Sequence, residues 1–204
     1  EAILGKARAY AWSQNYSQAI ANYKLALKIR PLLVEAEMGI LRIFSWQGKT
    51  KLAIKGAKTL YRRNHKNIEI NLFLARLFSF EKEYDLSIKL YKETLSLYPS
   101  SIEAQIGIAR VLAWQGNKAE ALKQINIIYQ NHPENRSILL LRGWLLGITG
   151  QLDESIENYQ PLLDKNPNDL EALGGIAKIY KWQNKTNMSM PLYKQILELD
   201  PSNI

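Results

Sequence analysis

The 204-residue chain contains no cysteine, which excludes disulfides and thiolate metal sites and fits an exported protein as readily as a cytosolic one. Only two histidines occur, His65 and His132, too far apart in the chain to make a metal site without thiols. No apolar run reaches 18 residues, so no segment is suited to span a membrane as a helix. A glycine-rich phosphate loop and a nucleophile elbow are both missing, so no catalytic activity and no cofactor are expected. The chain opens at Glu1 without methionine or leader and stops at Ile204, as expected of a segment of a longer protein.

What is present is repetition. The stretch Gly107-Ile108-Ala109-Arg110-Val111-Leu112-Ala113-Trp114-Gln115-Gly116 has a near copy from Gly39 to Gly48, two periods of 34 residues upstream. A worn version runs from Phe73 to Lys82, and further copies begin at Gly5, Leu141 and Gly175. A fixed period in the range of 20–50 residues marks a repeat architecture. Six repeats are read at 1–34, 35–68, 69–102, 103–136, 137–170 and 171–204, forming one domain.

Each repeat reads as two helices. In the fourth, Ala104, Ile108, Val111 and Leu112 have the spacing of one helical face. Gly48, Gly116 and Gly150 fall at position fourteen of their repeats, where a turn with φ > 0 is due. The second helix has its own apolar spacing, as in Ala19, Ile20, Tyr23, Ala26 and Leu27. Pro31, Pro99, Pro133, Pro167 and Pro201 stand at position thirty-one, where they cannot continue it. Pro161 and Pro191 fall inside the second helices of repeats five and six, and each is expected to remove a hydrogen bond and kink its helix. With Gly143 and Gly147 thinning the first helix of repeat five, the C-terminal third is expected to be the less regular end.

Small residues at position seven, an aromatic or Leu at ten, Ala or Ser at nineteen, Tyr at twenty-three and Pro at thirty-one resemble the tetratricopeptide-repeat (TPR) pattern across the whole chain. Repeat one matches it as Ala7, Tyr10, Ala19, Tyr23, Ala26 and Pro31, while Lys6, Ala57 and Ile125 depart from it. The resemblance implies an all-α solenoid of twelve helices wound as a right-handed superhelix. It also implies that the first helix of each repeat lines the inner, concave face.

A helical wheel of that first helix leaves one narrow wedge between two packing flanks, at positions one, eight and twelve. Position one reads Glu1, Glu35, Glu69, Glu103, Ser137 and Glu171. Position eight reads Arg8, Arg42, Arg76, Arg110, Trp144 and Lys178, and position twelve reads Trp12, Trp46, Phe80, Trp114, Ile148 and Trp182. Acidic, basic and aromatic ladders are therefore expected side by side. They can serve as mutual glue, with Arg pairing to a Glu of an adjacent repeat and stacking on the indole. Alternatively they face a partner, since Arg and Trp supply forked hydrogen bonding and flat contact area. A ligand role is expected chiefly in repeats one to four, because Trp144 and Ile148 interrupt the pattern.

Net charge is +8, contributed by repeat as +4, +6, −1, +1, −3 and +1. Repeat two carries Lys51, Lys55, Lys58, Arg62 and Arg63 on its second helix, which the resemblance places on the convex side. A solvated face, an acidic partner or an anionic membrane surface would each suit that patch, whereas no nucleic-acid-binding motif accompanies it.

The expected role is a non-catalytic scaffold that binds a protein or peptide, with a glycan chain as another possible ligand. The wording Gly-x-Ala-Arg-x-Leu-Ala-Trp-Gln-Gly resembles periplasmic TPR regions of bacterial outer-membrane polysaccharide-secretion proteins. The alternative is a peptide-binding adaptor, in the cytoplasm or in a protein-secretion apparatus. An open apolar face on the last repeat, ending at Ile204, would also allow self-association.

Overall fold

The computed structural model describes residues 1–202; Asn203 and Ile204, and with them the end of the expected open face, lie outside the described residues. The described residues form twelve α-helices and no strand. In chain order these are α1 (Ala2–Trp12), α2 (Tyr16–Ile29), α3 (Val34–Trp46), α4 (Thr50–Arg63), α5 (Ile68–Phe80) and α6 (Tyr84–Leu97). They continue with α7 (Ile102–Trp114), α8 (Lys118–Asn131), α9 (Arg136–Ile148), α10 (Leu152–Lys165), α11 (Leu170–Trp182) and α12 (Thr186–Leu199). None is long and apolar enough to cross a membrane. The fold is all-α, one helical hairpin per 34-residue repeat.

Two compact units divide the chain, one of α1–α6 and one of α7–α12. In the first, each helix packs on the next, and α1 also touches α3. Its N-terminal core gathers Ala7, Ala19, Tyr23, Ala36 and Ile43. In the second unit α7, α9 and α11 meet in succession while α8 and α10 each lean on the following hairpin. Ile125, Ile138 and Leu145 centre one cluster there, and Tyr159, Ala172 and Ile176 another.

The turn inside each hairpin obeys one rule. Position fourteen takes a left-handed conformation in all six repeats: Gly48, Gly116 and Gly150, but also Gln14 at φ 59°, Lys82 at φ 62° and Asn184 at φ 58°. The turn geometry is thus imposed by the packing of two helices, and glycine merely enters it without strain. Where the next repeat begins, Asn67, Asn135 and Asp169 cap α5, α9 and α11 by accepting backbone N–H bonds.

Packing between helices follows a volume exchange. Tyr23 lies where a Cβ on Gly39 would come within 2.3 Å of its ring, and Tyr159 sits between Gly143 and Gly175, each 2.5 Å from such a contact. The glycines of α9 are therefore sites of close approach: Gly147 does the same for Ile179 and Trp182. Repeat two inverts the arrangement. Ala57 replaces the tyrosine, Phe73 replaces the glycine opposite, and Gly56 makes room for Leu41. Ile125 and Leu141, two residues of middle size, fill the equivalent place between repeats four and five. The departures from the aromatic pattern are thus compensated across the interface.

The prolines do not break their helices. Helices α10 and α12 run 14 residues with Pro161 and Pro191 inside them, the same length as α2, α4, α6 and α8. Both prolines are exposed, as are Glu157 and Asn187, whose carbonyls they leave without a helical partner, so water can satisfy those carbonyls.

Gly175→Ala is expected to lose about 1–3 kcal/mol by overpacking against Tyr159, although alanine favours helix by about 1 kcal/mol. Gly5→Ala, with open space around its Cβ, is expected to gain stability. Chemical denaturation of the two variants checks the sign of each change.

Candidate functional site

The wedge at positions one, eight and twelve is exposed. Its position-twelve aromatics range from 40% exposure at Trp114 to 83% at Trp12, and Trp144 at position eight is half-buried, whereas Ala36, Ile70, Ala104, Ile138 and Ala172 on the neighbouring flank are fully buried. Helix α1, α3, α5, α7 or α11 thus buries two flanks and leaves an Arg or Lys and an aromatic on the remaining strip.

In the first unit the ladder is linked from repeat to repeat. Arg8 pairs with Glu35 at 3.2 Å, and Arg42 pairs with Glu69. Arg76 also has a partner. The Arg8–Glu35 and Arg42–Glu69 pairs join position eight of one repeat to position one of the next. All lie at partly exposed side chains, where each contributes at most about 1 kcal/mol. The expected Arg–indole stacking is replaced in repeat two, where Trp46 meets Tyr16 with ring centroids 6.3 Å apart.

The second unit breaks this scheme. Position one of repeat five is Ser137, so Arg110 has no acid to meet, and among the described residues it makes no hydrogen bond or ion pair. Position eight of repeat five is Trp144, so Glu171 has no arginine at the usual place. Arg136 holds Glu171 instead, at 2.6 Å, and grips Asp169 with two hydrogen bonds of 2.9 and 3.0 Å. Burial raises the Asp169 carboxyl's pKa, but the bonds from Arg136 and from the backbone of Ala172 and Glu171 outweigh it, and the pKa falls below its ordinary value.

Two adjoining hollows open where the ladder breaks. One, of about 710 Å³, lies between α9, α11 and α12, with Trp144, Lys178, Trp182, Tyr193 and Leu197 in its wall. The other, of about 360 Å³, is lined by Arg110, Trp114, Arg136, Ser137 and Trp144. Leu140, Trp144 and Glu171 border both. The structure brings Arg110 and Trp114 to one hollow and Lys178 and Trp182 to the other. Arg8, Trp12, Arg42, Trp46, Arg76 and Phe80 belong to the first unit and line neither. Trp144, which interrupts the sequence pattern, is the aromatic residue common to both hollows.

Arg142 is a second residue that the pattern conceals. It occupies position six of its repeat, and its side chain is only 12% exposed. It donates to Asn126 at 2.7 Å, Asn158 at 2.8 Å and Glu154 at 2.5 Å, and lies 4.5 Å above the Tyr129 ring. Asn126 and Asn158, polar on inward faces of α8 and α10, were the available signal. The carboxylates Asp153 and Glu154 are likewise engaged, Asp153 accepting from Gln183. On α4, Lys58 covers the Phe78 ring and Arg63 pairs with Glu37, while Lys51, Lys55 and Arg62 stand exposed.

Removing Arg42 is expected to lower stability by up to about 1 kcal/mol, and removing Arg110 by nothing measurable, as read from urea unfolding of the two alanine variants. A carboxyl held below its ordinary pKa stabilises above that pKa and ceases to as pH falls through its folded value. Asp169→Asn should therefore unfold more easily than the parent at pH 7, by about 1 kcal/mol, with the gap closing as pH falls through the lowered folded value of the Asp169 carboxyl.

Profiles described as tetratricopeptide repeat match residues 74–136 and 170–203. Tetratricopeptide repeat protein 8 of Caenorhabditis elegans is 30% identical over 83 residues, 41% of this chain; the chain covers 16% of that protein's length. A tetratricopeptide-repeat protein from Parabacteroides merdae superposes with a TM-score of 0.74 at 20% identity, covering 96% of this chain and 78% of its own. The APC/C hetero-tetramer Cut9–Hcn1 contains a chain that superposes at 0.80 with 15% identity, over 99% of this chain and 40% of its own. At these identities the structural likeness is one of fold.

Proposed function

Because the chain belongs to the tetratricopeptide-repeat family, we propose that it is a scaffold whose second unit grips an extended peptide of a partner protein. One observation carries this reading: the cleft of about 710 Å³ bounded by Trp144 and Trp182, on the strip of α9 and α11 that internal packing leaves open. Two large rings set beside apolar Leu140 and Leu197 give a peptide side chain flat contact area at small entropic cost. Lys178 and Tyr193 at the same wall supply polar contacts that fix its direction. The first unit, whose ladder is closed by its own ion pairs, serves as the rigid remainder of the scaffold.

A second reading places the same scaffold in the periplasm, as the assembly domain of an outer-membrane polysaccharide-secretion protein. It is supported by the wording of residues 107–116 alone, Gly-Ile-Ala-Arg-Val-Leu-Ala-Trp-Gln-Gly. In that setting the cleft would take a segment of a synthase or a modifying enzyme, or a stretch of the glycan.

Peptides selected by phage display on the immobilised chain, and alginate oligosaccharides as a glycan probe, separate these readings in an NMR titration of the indole N–H signals. The expected outcome is that a selected peptide shifts the signals of Trp144 and Trp182 and leaves Trp12 in place, and that Trp144→Ala weakens it tenfold or more. Selected peptides that leave the Trp144 and Trp182 signals in place, or a response to the oligosaccharide alone, would overturn the peptide reading.

A further inference from the structure

We infer that α2 and α4 form a docking face for an anionic membrane surface, separate from the strip at positions one, eight and twelve and independent of the peptide reading. Residues 2–34 and 38–68 contain no Asp or Glu, and those spans include both helices entire. On α4, positions seventeen, twenty-one, twenty-four and twenty-eight of the repeat are Lys51, Lys55, Lys58 and Arg62, spaced to share one face and all exposed. The same positions of α10 read Asp153, Glu157, Gln160 and Asp164, so the fold itself asks for no cation there. On α2, exposed Lys24 and Lys28 stand at the two positions that Lys58 and Arg62 hold on α4.

Lys58 lies over the Phe78 ring and Arg63 pairs with Glu37. The side chains of Lys24, Lys28, Lys51, Lys55 and Arg62 make no hydrogen bond or ion pair among the described residues. Like charges three and four residues apart weaken a helix, so crowding them here costs stability that nothing within the chain returns. Aliphatic side chains are interleaved with these cations. Leu25 and Ile29 lie one turn apart on α2 beside Lys24 and Lys28, Leu32 follows in the turn, and Leu52 sits next to Lys51; Ile29 is 65% exposed and Leu32 72%. A lipid surface is the occupant that uses both kinds of group. Its anionic headgroups attract the cations, and its acyl boundary takes the aliphatic side chains while the lysine stems reach back to the headgroups. A nucleic-acid backbone offers the negative charge without the apolar layer.

Co-sedimentation of the whole chain with lipid vesicles tests this. Vesicles of phosphatidylcholine containing one third phosphatidylglycerol are expected to carry the chain down, less so as salt is raised, and vesicles of phosphatidylcholine alone are expected to leave it in solution. Each cation near such a surface is worth about fivefold in binding, so Lys51→Gln with Lys55→Gln should weaken it by about tenfold or more. Lys123→Gln with Lys194→Gln removes the same charge from exposed places on α8 and α12 and should leave binding within about twofold. Because the chain has no cysteine, Ile29→Cys can carry a single polarity-sensitive dye, whose emission should shift to the blue on the anionic vesicles. The same dye at Met190→Cys, exposed on α12, should not respond. Equal losses from the two double variants, equal binding to both kinds of vesicle, or an unmoved dye at Ile29 would overturn the inference. So would a polyglutamate peptide that binds where anionic vesicles do not, which would assign the face to an acidic protein. None of these outcomes touches the peptide reading, whose signals lie on α9 and α11.

Discussion

The structure depends on a match of volumes between successive helical hairpins. A tyrosine of one hairpin occupies space that a glycine of the next leaves empty, as at Tyr23 with Gly39 and Tyr159 with Gly175. Close approach there brings the remaining apolar side chains into contact, and the buried alanines that recur at positions two, seven and nineteen, such as Ala36, Ala7 and Ala19, fit the same requirement. Burial pushes the Tyr159 phenol well above its ordinary pKa, with Glu171 adding to the effect, so this ring stays neutral throughout the physiological range. Once the hairpins are set at that distance, the strip at positions one, eight and twelve faces outward by necessity. Recognition then depends on what occupies that strip.

On the strip, charge pairing and ligand recognition compete for the same groups. Arginines joined to the next repeat's glutamate have their forks largely occupied, and their contribution to stability is small because water screens them. A repeat that gives up the glutamate therefore loses little stability and gains a free cation. Substituting Trp144 at the following position eight removes the next arginine as well, and the flat ring turns a polar strip into the wall of a cleft. Arg136 compensates by binding the acid that Trp144 leaves unmatched. Three substitutions, at Ser137, Trp144 and the residue that rescues Glu171, are enough to distinguish a site from the scaffold around it.

Much of the fold was legible from residues alone. The 34-residue period, the helix faces and the left-handed turn at Gly48, Gly116 and Gly150 all follow from spacing and backbone sterics. The turn at Gln14, Lys82 and Asn184 was not legible, because tertiary packing holds a conformation that local preference disfavours. Pro161 and Pro191 were expected to cost a hydrogen bond and kink their helices, and their exposure on α10 and α12 makes the lost bond tolerable. For the candidate site, the ladders mark a strip that helix packing leaves at least partly exposed. They pointed to repeats one to four, whereas the hollows open where the pattern fails, beside Trp144. A periodic reading treats the exception as noise, and here the exception forms the cleft. Arg142 escaped notice for a related reason: its partners Asn126 and Asn158 lie on other helices, and only the three together make a satisfied buried cation.

The tyrosine–glycine, alanine–phenylalanine and isoleucine–leucine pairs also bear on how the chain finds its order. Chains of near-identical modules are prone to join the wrong neighbours during synthesis and refolding. Here a slip of one module would press Tyr23 against Phe73, an overfilled junction, or set Ile125 over Gly175, a hollow one. Each junction thus acts as a lock cut for one key, and the small irregularities among the modules proofread their assembly.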